Sequence, residues 1–377
     1  MQLISWIKAE AARLGFPFAG ITTPAPLPHL ETFLDWVAAG RHASMAYLSA
    51  PLNLEKRASP ALILPIAKSV ILLGMPYAPS QPGGFEHGSK VGRVASYAWG
   101  MDYHDIIPLR LVELAQGIGD HVGCQVATRA YTDTGPVLER DLAQRAGLGW
   151  AGKNTCLIHP KRGSYFFLAE LFVDIDLEPD LPFLADQCGN CHRCIDACPT
   201  GCIREDRTLD ARRCISYHTI ENKGPIPLYL RPNLGNWVFG CDVCQQVCPW
   251  NLFASAGDVD PQFTGRAEIS APELLGEIQM DASAFNRKFR LSPIRRAKRR
   301  GYLRNVCIAL GNSRDGNALP GLIDVLRNEP EGLVRGAAAW AIGQIGSAKA
   351  STALNEALAG ESDGHVLEEI SSALQMG

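Results

Sequence analysis

Nine of the twelve cysteines in this chain of 377 residues lie in one stretch, residues 187–250. A first run reads Cys-x2-Cys-x2-Cys-x3-Cys-Pro over residues 188–199, and a second reads Cys-x2-Cys-x3-Cys-Pro over residues 241–249. The second run lacks its first cysteine, because Val238 occupies that position, and Cys214 is the obvious replacement. Three thiolates at such short intervals in a tight loop can hold three corners of a metal cluster. This spacing therefore constrains the fold more than any other feature of the sequence.

The spacing and the Cys-Pro endings are typical of proteins that bind two [4Fe–4S] clusters, in which the fourth cysteine of a run ligates the other cluster. One cluster is assigned to Cys188, Cys191, Cys194 and Cys248. The other is assigned to Cys198, Cys214, Cys241 and Cys244. Paired structural zinc sites are the alternative, although zinc loops rarely show three evenly spaced cysteines followed by Cys-Pro. The other cysteines are predicted to be small buried hydrophobic residues: Cys124, Cys156, Cys202 and Cys307.

The composition is that of an ordinary soluble globular protein, with 46% hydrophobic residues, 20% charged residues and a net charge of −3. Its length predicts two or three domains. The N-terminal sequence MQLISWIKAEAARLGF predicts an amphipathic helix rather than a signal peptide, because it has no basic leader, no uninterrupted apolar run and no twin arginine. No apolar stretch reaches the roughly 18 residues that a membrane span requires. We therefore expect a cytoplasmic protein, in a reducing compartment where disulfides are rare.

The first 180 residues alternate between helix-like and strand-like patterns. Helices are predicted over residues 7–14, 30–37, 103–121 and 136–146. Strands are predicted over residues 16–22, 69–74, 91–97, 125–131 and 164–174. This alternation indicates a multidomain α/β or α+β protein whose N-terminal strands are covered by helices.

The character of the chain changes after Asn286. Nine positive residues, with no acidic residue among them, fall within residues 287–304: Arg287, Lys288, Arg290, Arg295, Arg296, Lys298, Arg299, Arg300 and Arg304. This basic segment is either a solvated helix face or a surface that binds the phosphates of a nucleic acid. Three aromatic residues near it are predicted to be core residues rather than platforms for stacking bases: Phe285, Phe289 and Tyr302.

Beyond the basic segment the sequence repeats with a period of 32 residues. Residues 309–311, Ala-Leu-Gly, recur as Ala-Ile-Gly at residues 341–343, and Leu322 and Leu326 recur as Leu354 and Leu358. A repeat of this length with alanine-rich helices predicts stacked helix pairs of the HEAT type.

A second candidate site is the loop Tyr-Thr-Asp-Thr-Gly-Pro at residues 131–136, which links a predicted strand to a predicted helix. Asp133 in this loop can brace the turn through its carboxylate, and the local pattern alone favours that role. It can instead act as an acid if burial raises its affinity for a proton more than the helix N-terminus lowers it.

Together these motifs resemble those of the epoxyqueuosine reductase family, cobalamin-dependent enzymes of queuosine tRNA biosynthesis. The resemblance spans nearly the whole chain, including both cysteine runs, the loop of Asp133 and the terminal repeats. Further matching segments are Glu55-Lys-Arg57, Ser96-Tyr97-Ala-Trp-Gly-x-Asp102-Tyr-His104, Gly149-Trp-x-Gly-Lys153-Asn154 and Cys214-Ile-Ser216-Tyr217.

The resemblance implies a cobalamin-binding catalytic domain over residues 1–180 and a ferredoxin-like domain with two clusters over residues 181–255. A linker with the basic helical segment (256–300) and HEAT-like repeats (301–377) complete the predicted organisation. It also implies that Asp133 is the proton donor. Candidates to contact cobalamin are Arg57, Ser96, Tyr97, Asp133, Lys153, Asn154, Ser216 and Tyr217. Candidates to contact tRNA are Arg287, Lys288, Arg295, Arg296, Lys298, Arg299 and Arg300.

The activity that the resemblance implies is reduction of epoxyqueuosine to queuosine at the wobble position of tRNA anticodons. Electrons would pass from an unidentified donor through the clusters to cobalt. His104 is not followed by glycine three residues later, so the Asp-x-His-x-x-Gly motif of cobalt-ligating proteins is missing and no histidine is expected on cobalt. We expect a monomer, because one bulky tRNA needs only one face of the protein.

Two other functions are open from the sequence. A soluble enzyme similar to reductive dehalogenases would share the cobalamin domain and the clusters, but it would normally carry a twin-arginine signal and would not need a basic repeat region. A non-enzymatic iron–sulfur scaffold would use its repeats to bind a protein partner. Absorption bands of cobalamin would exclude the scaffold, and conversion of epoxyqueuosine in tRNA would exclude the dehalogenase.

Overall fold

The computed structural model of the chain describes residues 2–79, 90–253 and 259–375. It divides into two compact units, each built from separate stretches of the chain. Unit 1 comprises residues 1–80, 100–212 and 243–264, and unit 2 comprises residues 81–99, 213–242 and 265–377. The four consecutive domains drawn from the sequence stay a prediction, and residues 254–258 of the predicted linker lie outside the described residues.

The centre of unit 1 is a four-stranded antiparallel sheet. Its strands, in their order across the sheet, are β1 (Phe18–Thr22), β2 (Ser69–Pro76), β7 (Phe166–Val173) and β4 (Thr128–Tyr131). Strands β2 and β7 are almost completely buried, which explains why their sequences are nearly continuous apolar runs. The antiparallel pairing makes this unit an α+β structure, within the mixed class that the sequence predicts.

Helices and a short hairpin accompany this sheet. The α-helices of unit 1 are α1 (Leu3–Arg13), α2 (Leu30–Ala38), α3 (Pro51–Ala58), α4 (Tyr103–Val122), α5 (Glu139–Arg145), α6 (Arg193–Asp196) and α8 (Val243–Gln246). The hairpin consists of β5 (Trp150–Ala151) and β6 (Leu157–Ile158). Helix α5 packs its Leu142 and Ala143 into an apolar core with Val70, Leu72 and Phe172 of the sheet. The first turn of α5 is thereby fixed next to the end of β4.

Unit 2 contains the repeat helices. Its α-helices are α7 (Ile215–Ile220), α9 (Ala267–Ser270), α10 (Leu274–Glu277), α11 (Ala282–Lys288), α12 (Lys298–Ser313), α13 (Leu319–Asn328), α14 (Gly332–Ile345), α15 (Ala348–Gly360) and α16 (Gly364–Leu374). The first helices of successive repeats, α12, α14 and α16, pack against one another. The stacked helix pairs predicted from the 32-residue period are therefore present.

Two glycines at equivalent positions of the repeats allow this close packing. A Cβ atom on Gly311 would lie 2.8 Å from Cα of Ala341, and one on Gly343 would lie 2.9 Å from the carbonyl oxygen of Ala373. Both distances are shorter than real Cβ contacts, so only glycine permits consecutive helices to approach this closely.

The predicted strand over residues 91–97 is shorter than expected. Only β3 (Arg93–Val94) is a strand, and it pairs in parallel with β8 (Trp237–Phe239) of the same unit. Residues Ser96–Ala98 instead form a turn of 3-10 helix. The amide of Ser96 donates to Oδ2 of Asp242 at 2.7 Å, so a buried carboxylate replaces the next ladder hydrogen bond and the chain turns.

The remaining cysteines differ in burial. Cys202 and Cys307 are buried as predicted, and Cys156 is partly buried. The prediction is wrong for Cys124, which is exposed. It follows Gly123, whose left-handed backbone ends α4, and therefore lies in a surface loop outside the core.

Candidate active site

Asp133 lies in the loop between β4 and α5, and its backbone has a φ of +58°. Aspartate tolerates this left-handed conformation better than most residues. The loop is fixed on both sides: the hydroxyl of Thr132 donates to the carbonyl of Leu168 at 2.8 Å, and the amide of Thr134 donates to the carbonyl of Thr132 at 2.7 Å. The Asp133 side chain is 63% exposed, so a substrate can reach it.

The carboxylate of Asp133 is held by the first turn of α4. The hydroxyl of Tyr103 donates to Oδ2 of Asp133 at 2.7 Å, and Nε2 of His104 lies 3.8 Å from the same oxygen. Asp102 caps this helix by accepting the amide of His104, and it also contacts the ring Nδ1 at 2.8 Å. Asp102 thus orients the imidazole, whose Nε2 makes no hydrogen bond within the described residues. The carboxylate therefore lies beside a tyrosine hydroxyl and an imidazole nitrogen, two groups that can exchange protons with it.

Two further acids accompany Asp133. Oε1 of the partly buried Glu139 accepts the amide of Asp133 at 2.7 Å. Burial, followed by the negative charge of Asp133, raises the pKa of Glu139 to about 8. Glu170, in the middle of β7, is completely buried, and neither carboxylate oxygen has a hydrogen-bond partner within the described residues. Burial and the charges of Glu139 and Asp133 raise the pKa of Glu170 well above its ordinary value.

Sequence reasoning misses both glutamates. The one available signal for Glu170 is a charged residue inside the apolar run of β7. Glu139 gives no signal, because a glutamate in the first turn of a helix is common and is usually stabilising there.

Arg57 is the predicted cobalamin residue that accompanies this acidic group. It lies at the end of α3, is 5% exposed, and its guanidinium stands 5.4 Å from the centre of the Phe33 ring. Burial lowers the pKa of Arg57, and the charge of Glu139 opposes that shift. Arg57 is therefore a desolvated cation that interacts electrostatically with Glu139.

Lys153 and Asn154 contact the cysteine loops. Nζ of Lys153 donates to the carbonyls of Gly189 and Cys191 at 2.8 and 3.0 Å. The side-chain amide of Asn154 donates to the carbonyl of Cys244 at 3.4 Å. Both residues thus help to fix the backbone of the loops that carry predicted cluster ligands. Their role towards cobalamin stays a prediction.

Two tryptophan side chains, Trp150 and Trp250, pack beside the first cysteine run. Trp150 is 2% exposed, donates its indole N–H to Sγ of Cys188 at 3.4 Å, and packs with Cys248 and Ile158. The ring of Trp250 meets Trp150 edge-on at 5.0 Å. Burial and hydrogen bonds to sulfur both tune the reduction potential of iron–sulfur clusters.

Across the described residues, no three His, Cys, Asp or Glu side chains converge as closely as a single metal ion requires.

Four predicted cobalamin residues belong to unit 2. Ser96 is 1% exposed, and its Oγ has no hydrogen-bond partner within the described residues. Tyr97 lies 6.1 Å from the ring of Phe239, while Ser216 and Tyr217 lie in α7 directly after Cys214. Among these four residues, the Ser96 hydroxyl is the buried polar group that has room for a hydrogen bond to a bound molecule.

The basic segment sorts into paired and unpaired residues. Ion pairs connect Lys288 to Glu277, Arg296 to Glu221, Arg299 to Glu329 and Arg300 to Glu331. Within the described residues, no acidic side chain forms an ion pair with the exposed residues Arg287, Arg290, Arg295 and Lys298. Arg304 is 1% exposed and donates to the carbonyls of His218, Asn222 and Gly224.

The aromatic residues near the basic segment are core residues, as predicted. Phe285, Phe289 and Tyr302 are 4%, 1% and 0% exposed, and their rings pack together. The hydroxyl of Tyr302 donates to Oε2 of Glu277 at 3.0 Å. None of the three rings is available for stacking on a base.

Three family models match the chain. Residues 57–134 match the model described as epoxyqueuosine reductase QueG. Residues 187–251 match a 4Fe-4S double cluster binding domain, and residues 293–375 match HEAT repeats. The last two matches confirm the iron–sulfur prediction over the zinc alternative and confirm the HEAT-type repeats.

Proteins named epoxyqueuosine reductase are similar over nearly the whole chain. One from Alicycliphilus denitrificans is 40% identical over 361 residues, which cover 91% of this chain and 98% of the relative. One from Pseudomonas aeruginosa is 41% identical over 350 residues, which cover 92% and 95%.

Solved structures of epoxyqueuosine reductases are also similar to this chain over its whole length. An epoxyqueuosine reductase crystallised with an epoxyqueuosine-modified tRNA-Tyr stem loop has a TM-score of 0.92 and 32% identity, over 100% of this chain and 98% of the other. The Bacillus subtilis enzyme, in a form with its catalytic aspartate loop swung out of the active site, has a TM-score of 0.91 and 31% identity, over 100% and 99%. Among the described residues, no helix is both long and apolar enough to cross a bilayer.

Proposed function

Because the chain belongs to the epoxyqueuosine reductase family, we propose that it reduces epoxyqueuosine to queuosine at the wobble position of tRNA. Removal of the epoxide oxygen leaves an alkene and releases water, so each turnover consumes two electrons and two protons. The observation that carries the proposal is the exposed Asp133 carboxyl, held by the Tyr103 hydroxyl at 2.7 Å and flanked by His104. Asp133 is the general acid that protonates the departing oxygen.

Electrons reach the site through two [4Fe–4S] clusters in residues 187–251. One cluster is ligated by Cys188, Cys191, Cys194 and Cys248, and the other by Cys198, Cys214, Cys241 and Cys244. The indole of Trp150, which donates to Sγ of Cys188, supports the first assignment, because such hydrogen bonds stabilise the thiolate charge of a ligand. The electrons come from a separate one-electron reductant.

Cobalamin is the cofactor that we propose for the candidate residues that ligate neither cluster. The rim of a corrin carries amide groups that donate and accept hydrogen bonds, and the buried Ser96 hydroxyl lacks a partner of this kind within the described residues. When bound, cobalamin supplies a strongly reducing cobalt centre for breaking the C–O bond. The residues proposed to hold it are Arg57, Ser96, Tyr97, Asp133, Lys153, Asn154, Ser216 and Tyr217.

The basic segment binds the phosphates of the tRNA. Positive charge is concentrated there. Lys223 donates to the carbonyl of Arg296 at 2.7 Å, and its pKa is lowered by burial and by the charges of Arg296, Arg304 and Lys298, although the charge of Glu221 opposes this shift. Among the residues predicted to contact tRNA, Arg287, Arg295 and Lys298 are the strongest candidates, because they are exposed and form no ion pair within the described residues. The paired residues Lys288, Arg296, Arg299 and Arg300 are secondary candidates. A cytoplasmic monomer is consistent with this partner.

Conversion of the substrate tests the proposal. The purified protein, carrying both clusters and cobalamin, is incubated with epoxyqueuosine-containing tRNA and a low-potential reductant, and the digested nucleosides are analysed by mass spectrometry. We expect epoxyqueuosine to lose one oxygen atom. A fully loaded protein that leaves epoxyqueuosine unchanged but removes a halogen from aryl halides would establish the dehalogenase alternative instead.

A further inference from the structure

The proton demand of the reaction exceeds what Asp133 alone carries. Two protons are consumed in each turnover, and a carboxyl group delivers one before it must be protonated again. Asp133 is exposed in this structure, but the epoxyqueuosine nucleoside must cover its exposed side during the reaction. A source of protons inside the protein would therefore allow Asp133 to act twice without opening the site. The need for such a proton source rests on the proposed function.

Glu139 lies on the inner side of Asp133. Its Oε1 accepts the backbone amide of Asp133 at 2.7 Å, which leaves Oε2 available to carry a proton. A carboxylic acid can do both at once, because its carbonyl oxygen accepts while its hydroxyl donates. The core packing of α5 against the sheet fixes the residues that follow Glu139, so the contact with the Asp133 loop is set by the fold.

Glu170 is a third acid, and the charge of Glu139 acts on it. In the sheet register it lies opposite Leu72 of β2 and Tyr131 of β4. It is 0% exposed, and both oxygens lack hydrogen-bond partners within the described residues. Ionisation of an unpaired carboxyl in apolar surroundings is strongly unfavourable, so Glu170 is neutral and offers an unused O–H group.

The charges facing this group favour protonated acids. Glu170 is influenced by Glu139 and Asp133, and both are acidic. Glu139 is influenced by Asp133, by Arg140 of its own helix and by Arg57 of α3, and the burial of Glu139 outweighs the two arginines. Asp133 is contacted by Tyr103 and His104 of α4. The two acids whose pKa is raised, Glu139 and Glu170, are therefore more buried than Asp133, which lies in the exposed loop.

We propose that Glu139 is a proton relay that protonates Asp133 again within each turnover, assisted by the neutral carboxyl of Glu170. Asp133 first gives its proton to the epoxide oxygen as one C–O bond breaks. Glu139 then transfers its proton to Asp133, and the O–H of Glu170 stabilises the charge left on Glu139. Asp133 gives this second proton to the hydroxyl, which leaves as water as the other C–O bond breaks and the alkene forms.

Electrons and protons balance over these steps. Two electrons from a one-electron reductant of the flavoprotein or ferredoxin class pass through the clusters and reduce the carbon at which the first C–O bond breaks. These two electrons form the second bond of the alkene when the other C–O bond breaks, and the two protons come from Asp133 and Glu139. After product release both acids take a proton from solvent. Glu170 keeps its proton throughout.

The test uses Glu139→Gln and Glu170→Gln in the loaded enzyme, with Glu178→Gln, an exposed glutamate, as the matched control. In rapid-quench single turnovers we expect Glu139→Gln to slow product formation about tenfold or more and to accumulate a ring-opened alcohol. The wild-type rate should fall as the pH rises through about 8, where Glu139 loses its proton, and this limb should vanish in Glu139→Gln. An unchanged rate and pH profile in Glu139→Gln would overturn the relay.

A second readout needs neither cofactor nor activity. Infrared spectra of the wild-type protein at neutral pH should contain C=O bands of neutral carboxyl groups, one of them absent in Glu139→Gln and another absent in Glu170→Gln. If Glu170→Gln fails to fold, the pH titration of the wild-type bands still decides, since their absence at neutral pH contradicts the proposal. Asp133→Asn separates the two claims: if it retains turnover, the proposed function of Asp133 fails. If it is inactive while Glu139→Gln is normal, only the relay fails.

Discussion

A buried arginine in unit 2 and a buried glutamate in unit 1 differ in their hydrogen-bond partners. In unit 2, Arg231 is 3% exposed and forms a bidentate ion pair with Glu369, at 2.8 and 2.5 Å. Arg304 of the same unit donates to three backbone carbonyls. In unit 1, Glu170 is equally buried and has no hydrogen-bond partner within the described residues.

The difference separates structural charges from functional ones. A buried ion that is paired and hydrogen-bonded fixes packing, and its loss destabilises the fold. A buried acid without hydrogen-bond partners does not stabilise the fold in this way, and for this reason we propose a role for Glu170 in proton transfer. This contrast also applies at the surface, where the basic segment contains both paired and unpaired cations.

The largest expected effect on stability comes from breaking the ion pair of unit 2. Glu369→Ala leaves Arg231 buried without its partner, and we expect the free energy of unfolding to fall by about 3–5 kcal/mol. Glu368→Ala, at the exposed neighbouring position, is the control and should have little effect. Chemical denaturation of both variants checks this. Equal stability of the two would mean that the Arg231 pair is not structural.

Glu170→Leu, in contrast, should stabilise the protein. Removal of a buried, unpartnered carboxyl should raise the free energy of unfolding by about 1–3 kcal/mol at neutral pH. Because the pKa of Glu170 is raised in the folded state, the wild type loses stability as the pH increases above the unfolded-state value near 4.5. The advantage of the leucine variant should therefore grow from pH 5 towards pH 8. A variant that is less stable than the wild type throughout this range would show that Glu170 has a structural partner.

The smallest effects are expected in the basic segment. Neutralising Arg295 or Lys298 with glutamine should reduce the slope of log Kd against log salt for tRNA by about one for each phosphate that is no longer neutralised. The neighbouring Arg296→Gln is the matched control, since Arg296 already pairs with Glu221 and should change the slope less. Filter-binding titrations over a range of salt concentrations measure this. Equal slopes for all three variants and the wild type would mean that the segment is only a solvated surface.

Much of the architecture follows from local patterns in the sequence. The apolar runs of β2 and β7 predict buried strands, the 32-residue period predicts the repeat helices, and the cysteine spacing predicts the clusters. These features depend on neighbours in the chain. The composition of the two units from separate stretches depends on long-range packing, which local periodicity does not encode.

The candidate site could be predicted only in part. Asp133 is recognisable from its loop and from the family resemblance, whereas its contacts with Tyr103 and Glu139 require the folded structure. Glu170 looks like one polar residue in an apolar strand, and no pattern reveals that the charges of Glu139 and Asp133 raise its pKa. The strand predicted over residues 91–97 fails for a similar reason, because the carboxylate of Asp242 is remote in sequence.

The central claim is that Asp133 delivers protons to a tRNA-bound substrate, and one variant tests it most directly. Asp133→Asn keeps the size of the side chain but cannot donate a carboxyl proton, and Asp176→Asn, an exposed aspartate, is the control. With tRNA affinity and cluster and cobalamin absorbance measured alongside, the rate of queuosine formation should fall by roughly 10²-fold or more in Asp133→Asn alone. A wild-type rate in a fully loaded Asp133→Asn protein would contradict the account.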